Sequence, residues 1–254
     1  MLADLTDKQF RQFSELVYAE CGICLNDEKR ELLKARLGKR LRSLKVSAQQ
    51  YYQLVLDDKV ERARFIDAVS TNHTYFFRES GCFRFIPPAA RHIWCAAASS
   101  GEEPYSVAIH CLEHDFRPVI LASDISDTCL EKGRQAIYPL GPRCGIPPDM
   151  LRKHFQKGLG RWHGFLRVKR DVREMVHFEK LNLLSDPAPR HAFDVILCRN
   201  VMIYFDKPTK EKVIRKLITV LRPGGHLLIG GAESLNGLDH PLKYIQPSVY
   251  AKSS

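Results

Sequence analysis

From residue 92 onward, short apolar runs alternate with stretches whose apolar residues recur at helical spacing, and no other feature limits the fold of this chain as strongly. The runs are HIWCAAA (92–98), PVILASD (118–124), EMVHFEKLNL (174–183), AFDVILCRN (192–200) and GHLLIGGAE (225–233). Strands separated by helices cannot pair as hairpins, so the rhythm predicts βαβ units and a doubly wound, largely parallel sheet with helices on both faces. TKEKVIRKLITVLR (209–222) supplies a crossover helix stopped by Pro223-Gly224-Gly225, and YIQPSVYAK (244–252) suggests a closing strand. KGLGRWHGFLRVKRDVR (157–173) is rich in glycine, arginine and aromatics and is read as an inserted hairpin, with Gly158, Gly160 and Gly164 available for its turns.

Ahead of this region the periodicity is helical from about residue 5 to residue 70. Phe10, Phe13, Leu16 and Val17 form an apolar stripe, Gly22 ends it, and Asn26 or Asp27 can cap the next helix. A chain of 254 residues can bury one medium core beside a small helical one. The expected division is a basic helical domain (1–70), a connecting linker (71–92) and a larger domain of alternating strands and helices (93–254).

No apolar run reaches membrane-spanning length and the first ten residues lack a signal-peptide core, so a cytoplasmic protein is expected. Its eight scattered cysteines are read as reduced thiols. The formal net charge of +10 points to an acidic partner: nucleic acid, an anionic membrane or an acidic protein surface. Residues 28–45 hold eight basic residues against Glu28 and Glu31, a local charge of +6. Leu33, Leu37, Leu41 and Leu44 form one stripe there, and Lys29, Arg36 and Arg40 share a flank that is expected to face a partner.

The chemistry concentrates in ASSGEEPYS (98–106). Pro104 suits a first helical turn, so the stretch is a strand-to-helix turn. Such a turn in a dinucleotide-binding fold needs three glycines against a pyrophosphate, whereas this one has Gly101 alone and two adjacent carboxylates, Glu102 and Glu103. Those acids repel phosphate and suit a cation. Asp124, ending the second strand 23 residues after Gly101, stands where such sheets hold ribose hydroxyls. S-adenosylmethionine combines a ribose, a sulfonium and an ammonium without phosphate. Arg199-Asn200 through Tyr204 and Phe205 follow the fourth strand, at the ligand-binding edge of the sheet.

Together with TNHTYFFRE (71–79), the ordered pieces AASSGEEPYS, ASDI, IYPL, NLL, FDVILCRNVMIYFDKPT and LRPGGHLLIGGAES closely resemble the CheR family of chemotaxis-receptor glutamate methyltransferases. The resemblance implies a class I methyltransferase sheet with a small N-terminal all-α domain and a small β insert. It also implies S-adenosyl-L-methionine as methyl donor, with S-adenosyl-L-homocysteine as product. Carried over by position, it implicates Asn72, Thr74 and Arg78 in a linker over the site, and Glu103 with Glu102 in the acidic turn. Asp124 corresponds to the ribose acid, Asn182-Leu183 to the adenine stretch, and Arg199-Asn200 with Tyr204 to the strand-four motif, Arg78 and Tyr204 being the catalytic candidates. It further implies chemoreceptor cytoplasmic helices as substrate, a receptor C-terminal peptide at 157–173, and no nucleic acid or membrane insertion. The segment between Arg78 and Trp94 is shorter than family members usually have, and Pro87-Pro88 breaks a helix there.

Two other readings compete. A nucleic-acid methyltransferase would suit a pI near 9.2, but Arg199-Asn200-Val201-Met202 lacks the proline-aromatic arrangement expected for methylating a base amine. A non-catalytic docking module would not need every cofactor motif. Cys21-Gly-Ile-Cys24 and His110-Cys-Leu-Glu-His114 have metal-like spacings, but the first lacks a second pair and the second lies at the far end of its helix, so no metal is expected.

Overall fold

The computed structural model describes residues 5–141 and 145–253, leaving Cys144 outside. Contacts divide the chain into one unit of residues 1–71 with 204–209 and a second of residues 72–203 with 210–254.

The first unit is helical: α1 (Asp7–Cys21), α2 (Arg30–Leu44), α3 (Ala48–Asp57) and α4 (Lys59–Val69). Its helix ends are encoded locally. Thr6 and Gln9 form a capping box before α1, Gly22 closes it with φ 71°, Ser47 and Gln50 repeat the box before α3, and Asp58 caps α4. Phe10, Phe13, Val17, Leu33, Leu37, Tyr51, Val55 and Phe65 meet in the core of this unit.

The basic flank expected on α2 does not face outward together. The Arg40 guanidinium pairs in two-pronged fashion with Glu61, Nε lying 2.6 Å from Oε1, and the Tyr51 hydroxyl donates to the same carboxylate at 2.9 Å. Glu61 is only 3% exposed, and its side-chain partner Arg40 holds its carboxyl below the usual carboxylate range. Arg36 donates to the carbonyls of Val69 (2.6 Å) and Ser70 (2.5 Å) at the end of α4. Lys29 donates to the Cys24 carbonyl at 3.3 Å and stands 4.8 Å from the Tyr204 ring centroid. The reason is economy of satisfaction: α4 brings a buried acid and open helix-end carbonyls against α2, and the nearest cations fill them. Lys39, Arg42 and Lys45 are the basic residues of this stretch that stand exposed.

The second unit is built on a seven-stranded sheet. Its strands are β1 (His92–Ala96), β2 (Val119–Asp124), β6 (Val176–Lys180), β7 (Phe193–Cys198), β8 (Leu221–Ile229), β9 (Lys243–Gln246) and β10 (Val249–Ala251), in the order β6-β2-β1-β7-β8-β10-β9. The first five strands run parallel, and the β9–β10 hairpin closes the edge antiparallel. The strand order changes direction at β1, with β2 and β6 on one side and β7 and β8 on the other, so the carboxyl ends of β1, β2 and β7 form the crevice where such sheets bind ligands. Helices α5 (Glu102–Glu113), α6 (Asp127–Gln135) and α9 (Lys207–Val220) are the connections. The terminal stretch thus forms two strands where one was expected. β8 also begins at Leu221 and carries Pro223-Gly224-Gly225 within it, because the ladder to β7 shifts register between Phe193 and Val195 and that irregularity accommodates a proline.

The insert is larger than a hairpin over 157–173. β4 (Phe155–Lys157) and β5 (Phe165–Val168) form the hairpin, and β3 (Ile137–Pro139) pairs on the other side of β5 to make a three-stranded sheet. Gly160 (φ 56°) and Gly164 (φ 82°) lie in its connecting loop, while α7 (Pro148–His154) precedes it and α8 (Arg170–Arg173) follows. Three-residue strands are too short to show an alternating pattern, which is why β3 was illegible. The described cysteines are free thiols, and no helix among the described residues is long and apolar enough to cross a membrane.

Arg40→Ala leaves the Glu61 charge buried without its main partner, so unfolding free energy of the helical unit should fall by about 3–5 kcal/mol in a denaturant titration. Because the Glu61 carboxyl is held low in the fold, the stability it contributes is present above the ordinary glutamate value and is lost as pH falls through its folded value. Between pH 7 and pH 3 the thermal midpoint of the parent should therefore drop more steeply than that of Glu61→Gln, as followed by circular dichroism.

Candidate active site

The turn after β1 is held in an unusual backbone shape. Ala97 (φ 66°), Ser99 (φ 50°) and Gly101 (φ 96°) all lie in the left-handed region, which for non-glycine residues persists only when the surroundings enforce it. Here Ala98 N–H donates to the Ser123 carbonyl at 2.9 Å, Ser99 N–H to Asp124 Oδ2 at 2.8 Å, and the Tyr138 hydroxyl to the Ser100 carbonyl at 2.8 Å. A Cβ on Gly101 would stand 2.9 Å from the Tyr138 hydroxyl and 3.0 Å from the Phe178 ring, so glycine is required twice over, by angle and by space.

Asp124 ends β2 with 7% exposure, and its other oxygen accepts from Ser126 N–H at 3.0 Å. Two backbone donors thus fix the carboxylate plane at the crevice. The Ser99 hydroxyl reaches the Asn72 carbonyl at 3.3 Å and brings the linker to the same turn. Leu181 N–H donates to the Asp124 carbonyl at 3.0 Å, which sets Asn182-Leu183 beside it. Asn182 Oδ1 accepts from Leu184 N–H at 2.9 Å in an Asx turn, and Leu183 is buried.

The two acids of the helix start have different partners. Glu102 accepts from the Ser100 hydroxyl at 2.7 Å, and burial pushes its carboxyl up. Glu103 pairs with Arg199 Nη1 at 2.7 Å, and burial raises its carboxyl despite the guanidinium beside it. Arg199, first residue after β7 and 5% exposed, uses Nη2 for the Arg78 carbonyl at 2.9 Å and for Glu79 Oε2 at 3.1 Å. One guanidinium therefore ties the first turn of α5 to the linker. The Arg78 side chain bonds the His73 carbonyl at 2.9 Å and lies 5.8 Å from the Tyr75 ring centroid. Thr74 is half-buried in that segment. Tyr204 ends a single 3-10 turn (Met202–Tyr204), and within the helical unit its carbonyl accepts from Cys24 N–H at 2.8 Å.

Two carboxylates that the sequence reading did not single out complete the cluster. Glu79 (φ 48°) accepts from Gly231 N–H at 2.8 Å and stands 3.4 Å from Asn200 Nδ2; burial works to raise its carboxyl, but Gly231 N–H and Arg199 outweigh it and hold it low. Glu233 accepts from the N–H groups of Gly230 (2.6 Å), Met202 (2.7 Å), Asn200 (2.9 Å) and Ile203 (3.3 Å). Each ended a quoted motif, TNHTYFFRE and GHLLIGGAE, and adjacency to the motif was the only signal. Glu79, Arg84, Arg199, Gly231, Gln246 and Ser248 line a cavity of about 280 Å³ beyond β8.

The residues drawn together are thus Arg78, Glu103, Arg199 and Asn200 on one side, and Asn72, Asp124, Asn182 and Leu183 on the other. A crevice with carboxylates at Glu79, Glu102, Glu103 and Asp124 and a single buried guanidinium already paired is hostile to phosphate. Its acceptor chemistry fits a ribose diol and a sulfonium-ammonium cation.

Strand order 3-2-1-4-5-7-6 in the seven-stranded sheet, with an acidic turn after its first strand and an acid closing its second, defines a class I S-adenosylmethionine-binding methyltransferase. The chain belongs to the CheR family. Residues 72–251 match the CheR methyltransferase, SAM binding domain, and residues 8–70 match the CheR methyltransferase, all-alpha domain. It is 38% identical over 266 residues to the chemotaxis protein methyltransferase of Salmonella typhimurium, covering 98% of this chain and 91% of that one. It is 37% identical over 261 residues to chemotaxis protein methyltransferase 2 of Pseudomonas aeruginosa (97% and 93% covered) and 34% identical over 275 residues to the chemotaxis protein methyltransferase of Borreliella burgdorferi (98% and 96%). S-adenosylmethionine is its cofactor, as the match to the family's SAM binding domain shows.

Glu79→Ala removes the acceptor of Gly231 N–H and one partner of a guanidinium that is almost wholly buried. It should destabilise the second unit by about 1–3 kcal/mol in a denaturant titration, with Glu79→Gln losing less.

Proposed function

We propose that this chain methylates glutamate side chains on the cytoplasmic helices of chemoreceptors, forming glutamate methyl esters and releasing S-adenosylhomocysteine. The observation that carries the reading is the acid-rich crevice of Asp124, Glu102 and Glu103 beside the paired Arg199, in a chain whose curated relatives are chemotaxis protein methyltransferases. Bound S-adenosylmethionine supplies an electrophilic methyl group. An acceptor carboxylate is already ionised at neutral pH, so the protein needs no general base and its task is to hold the acceptor in line and keep water out. Arg78 is suited to hold a carboxylate by a bidentate contact, and Tyr204 to border the acceptor. Asn72, Thr74, Asn182, Leu183 and Asn200 complete the proposed cofactor contacts. The domain roles follow: a recognition domain over 1–70, an active-site linker over 71–92 and a catalytic domain over 93–254.

Asp124→Ala removes an acceptor of two charge-assisted ribose hydrogen bonds, each about 1.5–3 kcal/mol, so affinity for S-adenosylhomocysteine should fall at least about tenfold in calorimetry. Unchanged affinity would displace the ribose site. In parallel, labelled methyl groups should pass to receptor fragments and be released by mild base, as expected of an ester. Labelled RNA instead would replace the substrate.

For docking, two surfaces support the reading. The exposed Lys39 and Arg42 on α2 suit an acidic receptor helix, in place of the inward-turned Arg36 and Arg40. On the insert, Leu159, Trp162 and Phe165 are exposed beside the open edge of β4, where an extended receptor C-terminal peptide can add a strand. Trp162→Ala should weaken binding of such a peptide at least about tenfold in a fluorescence titration while leaving cofactor affinity unchanged, the loss expected of an aromatic anchor worth about 2 kcal/mol.

A further inference from the structure

The loop that follows β7 is held from below by a residue no cofactor contact accounts for. After Cys198 the chain must leave the sheet, and Asn200 turns it with φ 58°. The turn directs the N–H groups of Asn200, Met202 and Ile203 to one point, and the Gly230 N–H at the end of β8 joins them. Converging backbone donors make an anion nest. Here the anion is the chain's own Glu233, with Oε2 taking Asn200 and Gly230 and Oε1 taking Met202 and Ile203. The fit admits little displacement: a Cβ on Gly230 would stand 2.6 Å from Asn200 Nδ2 and 2.8 Å from Glu233 Oε2.

We propose that Glu233 is a positioning residue for methyl transfer, clasping loop 199–203 to the end of β8 so that Arg199 and Asn200 keep one arrangement. The proposal rests on the reading above that this loop borders the reacting centre. Glu233 acts through the backbone. If the clasp loosens, Arg199 shifts, and with it the tie between Glu103 and the Arg78–Glu79 carbonyls. Asp124 and its partners Ser99 and Ser126 stand on other elements and do not depend on the clasp. A loosened loop should therefore lower turnover more than cofactor affinity.

Glu233→Gln is the informative variant, because it keeps the shape and one oxygen while turning an NH₂ group towards two N–H donors. At saturating S-adenosylmethionine and receptor fragment its kcat should fall at least tenfold, with the Kd for S-adenosylhomocysteine rising by a smaller factor, since Asn200 is one of several proposed cofactor contacts, and the amide resonances of Asn200, Met202 and Ile203 shifted. Glu233→Asp, which retains the charge with shorter reach, should fall between the two and serves if the glutamine variant does not fold. Combining Glu233→Gln with Asn200→Ala should cost no more than the worse single change, since both act on one loop. A kcat within twofold of the parent, or a loss explained entirely by weaker cofactor binding, overturns the assignment. The parent's own activity on receptor fragments judges the functional reading separately, and if that fails, the amide shifts still judge the clasp.

Discussion

The frame of the crevice at the carboxyl ends of the strands depends on the buried Arg199 guanidinium. It bonds at once to the helix start after β1, through Glu103, and to the linker, through the carbonyls of Arg78 and Glu79. A planar donor fork can serve several acceptors in fixed directions, which a lysine ammonium on a flexible stem cannot. Its desolvation would be costly alone, but Glu103 and Glu79 supply the countercharge and the linker backbone supplies further acceptors. The same contacts fix where the linker runs, so the position of Arg78 follows from the placement of Arg199.

This arrangement explains why the first turn can hold strained backbone. Ala97 and Ser99 stay in the left-handed region because β2 grips the turn through Ser123 and Asp124, while Tyr138 grips it from the insert side. Asp124 therefore has two duties, since the carboxylate proposed for the ribose also braces the loop that shapes the crevice. A site residue of this kind cannot be exchanged without disturbing its frame.

Much of this was legible in the sequence. The strand runs at 92, 118, 174, 192 and 225, the glycine-acid-acid turn and Asp124 all announce themselves, because buried parallel strands are continuous apolar runs and polar residues at their ends stand out. What stayed hidden depended on partners distant in sequence. Nothing local in α2 distinguishes Arg40, which meets Glu61, from Arg42, which stands exposed. Glu79 and Glu233 act by accepting backbone N–H groups from segments more than a hundred and about thirty residues away, and a backbone donor carries no residue signature. The β3 strand was too short for a period, and the proline in β8 was read as a stop because the register shift that tolerates it belongs to the facing strand.

The inward-turned cations of α2 also differ in what they present at long range. Arg40 is neutralised by the carboxylate of Glu61, and opposite charges that close together leave only a weak dipolar field a few ångströms away. Arg36 is solvated by the carbonyls of Val69 and Ser70, which are dipoles and cannot cancel a whole charge. Its monopole therefore persists beyond the side chain, out to the screening distance of about 8–10 Å set by physiological salt. Two arginines one helical turn apart, both engaged within the fold, thus contribute unequally to the potential that an approaching acidic surface meets before it touches the protein.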